Sequence, residues 1–215
     1  MEASFIKNMR DVTRAVYRTD LNTIGLVIPR WVLADNLYEF FSYPDRLDYI
    51  LKPSILTPPM YHLTVPMPVR LGTFGVEVAK ATVHLYADLR FEGHSTRALD
   101  VFLDCLYDAI INEQPSKEDP EWENIVLSSM LFGAALDVGL SVLKQVPSFD
   151  KDRLPDVPLT GRQLFYVAQC YTHCGEQDGP MLCNEPLRHK GDFASTFSCT
   201  TKSNMRSKYQ CNSFV

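Results

Sequence analysis

The chain has 215 residues, 46% of them hydrophobic, with 21 Lys and Arg against 26 Asp and Glu for a formal charge of −5. That length predicts one sizeable domain or two small ones; the apolar fraction excludes a disordered chain, and the acidic balance argues against a nucleic-acid partner. Five of the six cysteines (Cys170, Cys174, Cys183, Cys199, Cys211) lie in the last 46 residues, with only Cys105 upstream. Such clustering suggests a disulfide-tied tail and an oxidising compartment. Yet no uncharged run between Met1 and Arg18 is long enough for the apolar stretch of a signal peptide. Two readings stand at this point: a cytosolic protein with reduced thiols, or a piece of a secreted protein whose leader is missing.

Taken in chain order, Phe5, Met9, Val12 and Val16 fall at helical spacing. Thr23 to Pro29 is rich in β-branched residues and predicts a short strand. Trp31 to Phe41 returns to a helical pattern, and the five prolines between Leu51 and Pro68 predict extended, irregular chain. Three strong helices are expected next, over Gly72 to Asp88, over Thr96 to Ile111, and from Asp119 to Gln145. Asp119 suits the cap of the third, Pro120 its first turn, and Glu121 and Glu123 the positive end of its dipole. Ile125 to Leu143 carries one charge, Asp137, in 19 residues, long enough to cross a membrane. Asp137 is costly in lipid, and the better reading is a helix buried on most sides of a globular core. Thr160 and Gln163 form a capping box that opens a further helix ending near Cys174, after which the sequence is polar and turn-rich to Val215. The whole predicts a mainly helical α+β domain with short strands.

Residue chemistry alone gives no active site. His84 lies on an apolar helix, but the residue four positions before it, on the same face, is Lys80, an ammonium that repels a cation. There is no HExxH pair, no CxxC pair, no nucleophile elbow around Ser95 and no glycine-rich phosphate loop. Disulfides are favoured over a zinc site for the clustered cysteines.

Five stretches, in order, nevertheless resemble the C-terminal part of the catalytic domain of the neprilysin and endothelin-converting-enzyme family of zinc metallopeptidases. Ile50 to Pro59 is similar to FPAGILQPP, and Gly72 to His84 lines up without gaps on GGIGxVIGHEITH. Glu123-Asn-Ile125 opens a segment like ENIADxGG, and Gln163 to Cys174 resembles QLFFxxFAQxWC. Asp192 to Cys199, with the tail to Cys211, resembles EFxxAFxC and SxMNPxxKCRVW. The resemblance covers residues 45–215 and treats 1–215 as a single partial peptidase domain. It implies a zincin-like, thermolysin-type catalytic subdomain with a disulfide-tied C-terminal tail.

The departures decide the functional expectation. In the family, two histidines and a glutamate hold zinc and the HExxH glutamate activates its water. Here Lys80 stands for the first histidine and Ala81 for the general base, while His84 and Glu123 remain as ligands. Leu127 replaces the aspartate that would orient a ligating histidine, and the family's oxyanion-binding histidine and arginine have no clear counterparts. Leu182 falls near the arginine position, which Arg188 reaches only across a gap. The expectation is a truncated, degenerate domain without catalytic residues or a cofactor. The first alternative is a residual zinc endopeptidase that recruits His62, His94, His173 or His189; the second is a membrane-inserted or partner-binding protein. The resemblance further implies a Cys105–Cys211 disulfide and an extracellular or cell-surface setting. Peptides or a related peptidase chain are the expected partners, and no membrane anchor is clear. Cys174 and Cys199 match cysteines whose partners lie outside the matched region, so they stay free, pair together, or pair with Cys170 and Cys183.

Overall fold

A computed structural model describes residues 40–43, 48–51, 53–91, 97–113, 122–176 and 178–215. The expected first helix, the strand over Thr23 to Pro29, and the Asp119–Glu121 cap lie outside these residues.

The described chain is mainly helical, with one antiparallel ribbon of β1 (Phe40–Tyr43) and β2 (Asp48–Leu51), registered Phe40 to Leu51 and Tyr43 to Asp48. This corrects the reading of Trp31 to Phe41 as helix at its end. Phe40, Phe41 and Tyr43 are aromatic residues that suit a pleated strand, and pairing with Tyr49 to Leu51 overrides a short helical pattern. The proline-rich stretch is irregular, as expected, apart from a 3₁₀ turn at Pro53–Leu56.

Helix α1 (Met67–Arg70) starts with Pro68 in its first turn, continues through a π-turn at Leu71–Gly75, and runs on as α2 (Val76–Phe91). Gly72 sits in that π-turn because a Cβ there would collide with the Phe165 carbonyl of the helix packed across it. Helices α3 (Arg97–Glu113) and α4 (Trp122–Lys144) follow. Then come α5 (Gly161–Tyr171), α6 (Gly179–Arg188) and the short α7 (Gly191–Thr196). The last two correct the expectation of a turn-rich tail. Their sequences are polar, but each buries a few residues, Pro186 and Leu187 in α6 and Phe193 and Ala194 in α7, against the core.

The capping box of α5 forms as expected: the Gln163 backbone N–H donates to Thr160 Oγ1 at 3.2 Å, and the Thr160 N–H donates to Gln163 Oε1 at 2.9 Å.

Helix α4 explains the long apolar run. It lies between two hydrophobic clusters and contributes to both. Phe132, Ala135, Leu136, Leu140 and Leu143 pack with Val76, Phe165, Tyr166 and Leu187. Leu131 and Ala134 pack with Val83, Phe102, Leu103, Leu106 and Cys211 on the other side. A helix covered on two flanks needs apolar residues nearly all round. By length and composition it could also cross a membrane, but 61% of the apolar window is buried inside the protein. Its single mid-helix charge, Asp137, is buried and ion-paired with Lys190.

Two disulfides staple the helices. Cys105–Cys211 ties α3 to the tail across 106 residues of sequence, as the resemblance implied. Cys170–Cys183 ties α5 to α6, leaving Cys174 exposed and Cys199 half-buried as free thiols. One of the open pairings is thereby selected.

Candidate functional site

On α2, Glu77, Lys80, Ala81 and His84 follow at spacings of three, four and seven residues, which sets them along one side of the helix. Lys80 Nζ contacts Glu77 Oε2 at 2.8 Å, and the Glu77 side chain is 7% exposed. The same ammonium lies 4.1 Å from the centre of the Phe132 ring of α4, so it is held by a carboxylate and by an aromatic face. Ala81 is completely buried in the interface of α2 with its neighbours. His84, one turn beyond Lys80, is half-buried. Glu123 is exposed in the first turn of α4, where a carboxylate favours the positive end of the helix dipole. Leu127, one turn further along α4, is half exposed.

Phe132 is the hub of this region. The His173 ring meets it edge-on at 4.6 Å between centroids. His173 is buried and already engaged: Nδ1 faces Glu176 Oε2 at 3.0 Å and Nε2 faces the Gln169 amide at 3.1 Å. Packing of α2, α4 and the turn after α5 therefore places a lysine, a phenylalanine and a histidine in one stack. Glu77 could have been found in the sequence as an i, i+3 partner for Lys80. Phe132 and His173 carry no such signal, because they join only through tertiary packing.

The other histidines lie elsewhere. His62 is exposed and bonds Thr64 Oγ1 at 2.8 Å. His189 is fully buried, with Nε2 facing Glu185 Oε1 and Nδ1 facing the Tyr209 carbonyl, both at 3.0 Å. His94 lies outside the described residues. Arg188 is committed to Glu113 at 2.8 Å and Glu185 at 3.6 Å, an arrangement that fastens α6 to the end of α3. Ser207 adds a hydroxyl bond to Glu113 Oε1 at 2.7 Å and so fixes the tail to the same point. Among the described residues no three or more His, Cys, Asp or Glu side chains converge on a position that could hold a metal ion.

A second polar centre was not evident in the sequence. Lys190, just before α7, is buried against Asp137 and lies 4.8 Å from the Phe102 ring centre. Burial pushes its ammonium below the ordinary lysine value, while the Asp137 carboxylate opposes that shift. Nearby, the Tyr166 hydroxyl donates to Asp192 Oδ2 at 2.9 Å, and Arg162 Nη1 reaches Asp192 Oδ1 at 3.2 Å. Burial and the Asp192 charge push the Tyr166 phenol well above its ordinary range.

No protein-family model matches the chain, and no solved structure matches it. The chain is similar to Neprilysin-2 of Caenorhabditis elegans, with 25% identity over 219 residues. That alignment takes in 85% of this chain but only 29% of the relative's length. The similarity supports a neprilysin-like relationship.

Proposed function

We propose that this chain carries a degenerate neprilysin-like peptidase domain of zincin-like ancestry, which neither holds a catalytic zinc nor hydrolyses peptides. The observation that carries the reading is the state of Lys80. The first ligand position of the resemblance is filled by an ammonium, which has no lone pair to give a metal, and Glu77 and Phe132 hold it in place. The donor set does not fit zinc, since His84 and Glu123 are at most two ligands of the three that a catalytic site needs. Ala81 removes the general base, whose help is worth roughly a hundredfold or more in rate. The remaining role is binding, with peptides or a related peptidase chain as partners. Two disulfides and the neprilysin-like relationship support an extracellular or cell-surface setting.

The test is metal analysis of the purified chain after equilibration with zinc, together with hydrolysis of a fluorogenic peptide bearing apolar side chains. The expected outcome is less than a tenth of an equivalent of tightly bound zinc and no chelator-sensitive cleavage. One equivalent of zinc accompanied by chelator-sensitive turnover would overturn the reading.

A further inference from the structure

The end of α6 meets the tail through two residues, Arg188 and His189. The Ser207 N–H donates to the Arg188 carbonyl at 2.9 Å, and the Cys211 N–H donates to the His189 carbonyl at 3.0 Å. The Gln210 side-chain amide adds a bond to the Arg188 carbonyl at 3.1 Å. The His189 ring makes a further contact, with Nδ1 on the Tyr209 carbonyl, while its Nε2 lies on Glu185 Oε1.

A backbone carbonyl only accepts, so Nδ1 must donate to Tyr209. A carboxylate also accepts, so Nε2 must donate as well, and only the imidazolium carries both protons. Water cannot stand in for either partner, because His189 is 0% exposed and Glu185 2%. The other charged groups of this region are already engaged among the described residues. On α6, Arg188 Nη1 lies 3.6 Å from Glu185 Oε2, and its Nη2 pairs with Glu113 at the end of α3. On the tail, the Ser207 hydroxyl donates to Glu113, and the Lys208 ammonium lies over the Tyr209 ring. Lys190, next in sequence, is paired with Asp137.

A neutral ring would have one N–H for two acceptors. The Glu185 carboxylate is the stronger acceptor and would take it. Bare Nδ1 would then face the Tyr209 carbonyl, lone pair against lone pair, in a place closed to water. Losing the proton therefore breaks the contact with the tail and spares the one within α6. Cys211 stays held by its bridge to Cys105, so the part free to lift is the stretch just before it.

We infer that His189 is a proton-operated clasp: doubly protonated it ties the tail to α6, and losing one proton as pH rises releases the stretch from Ser207 to Gln210. The clasp shares no residue with the Lys80 face and does not depend on the functional reading above.

Nuclear magnetic resonance of the intact, oxidised chain between pH 5 and 10 tests it. Long-range proton–nitrogen spectra read the protonation of the His189 ring, assigned through its contacts to the Tyr209 backbone. Amide exchange at Ser207 and Cys211, corrected for the intrinsic rate, reads the attachment of the tail. The expected result is a ring protonated on both nitrogens at the acid end. As it loses a proton, protection of the two amides should fall about tenfold or more at the same midpoint. The Leu164 amide, bonded to the Thr160 carbonyl in α5, should keep its protection, which separates release of the tail from unfolding. Glu185→Gln should hold the tail at every pH, because its amide can turn an N–H toward a neutral Nε2. Should that variant lose the native circular dichroism, the coincidence of the two midpoints in the parent decides. A singly protonated ring throughout, a ring that titrates while the tail amides stay protected, or a folded Glu185→Gln with the parent's pH dependence overturns the inference.

Discussion

The buried Asp137–Lys190 pair makes the sharpest energetic prediction. Asp137 is 6% exposed and Lys190 5%, so both charges leave water when the chain folds. The compensation is direct ionic contact plus the Phe102 ring face at 4.8 Å, with Asp137 Oδ2 left unbonded. Substituting Asp137→Ala leaves a buried ammonium that only the ring face and the Asp192 charge still favour, and Lys190→Met strands the carboxylate. Each is expected to cost about 3–5 kcal/mol. The double variant Asp137→Leu/Lys190→Met removes both charges and fills their space with apolar atoms, so it should lie near the parent or up to about 4 kcal/mol above it. The pair also predicts an alkaline signature. The folded Lys190 value lies below the unfolded value of 10.5, so between the two the unfolded chain binds more protons and stability rises with pH. The double variant should lack that rise. Urea unfolding of the oxidised protein, followed by circular dichroism at pH 7 and at intervals up to 10, measures all of this. A single-variant cost below about 1 kcal/mol, or an unchanged alkaline slope in the double variant, would show that the two charges are hydrated and refute the reasoning.

Further outcomes follow from the same structure. Opening Cys105–Cys211, which closes 106 residues, should cost about 5 kcal/mol on loop entropy, against about 3 kcal/mol for the 13-residue span of Cys170–Cys183; unfolding of the Cys→Ser pairs gives the comparison. Mass spectrometry after alkylation of the native protein should find two reactive thiols, with Cys174 labelled before Cys199 because only Cys174 is exposed. Replacing Thr160 with Ala should cost about 1 kcal/mol by deleting the α5 cap, read by thermal unfolding. Tyr166→Phe should lose about 1 kcal/mol at neutral pH. Because the folded phenol is raised above its ordinary 10.0, the parent loses stability as pH climbs past 10 and the variant does not.

The sequence exposed those parts of the fold that depend on neighbours in the chain. The three long helices, the capping box at Thr160 and Gln163, and the bracketing of an irregular proline-rich stretch all rest on local spacing, and the structure reproduces them with shifts of a few residues. Helices α6 and α7 escaped notice because their apolar content is low. Each is held by a few buried residues and by the Arg188–Glu113 and Asp192–Tyr166 contacts across 75 and 26 positions of sequence. The Cys105–Cys211 bridge came from the family resemblance and not from residue spacing, and the same holds for any meaning attached to Lys80.

Within the candidate site, the sequence identified the substitution but not its accommodation. A lysine four residues before His84 was plain to read; a buried glutamate and an aromatic ring converging on it were not. That accommodation bears on what building a metal site on this helix would require. Lys80→His with Ala81→Glu would supply both missing groups of the HExxH pattern, yet it would leave Glu77 buried without the ammonium that now matches its charge. An unpaired buried carboxylate costs several kcal/mol, comparable to what a single zinc ligand contributes. The double variant is therefore expected to lose several kcal/mol of stability in the metal-free state, and the triple variant that adds Glu77→Val to recover about 3–5 kcal/mol of it, as read by urea unfolding. Equal stability in the two would mean that Glu77 is not a counterweight built around Lys80, and that the contact between them contributes little to the fold.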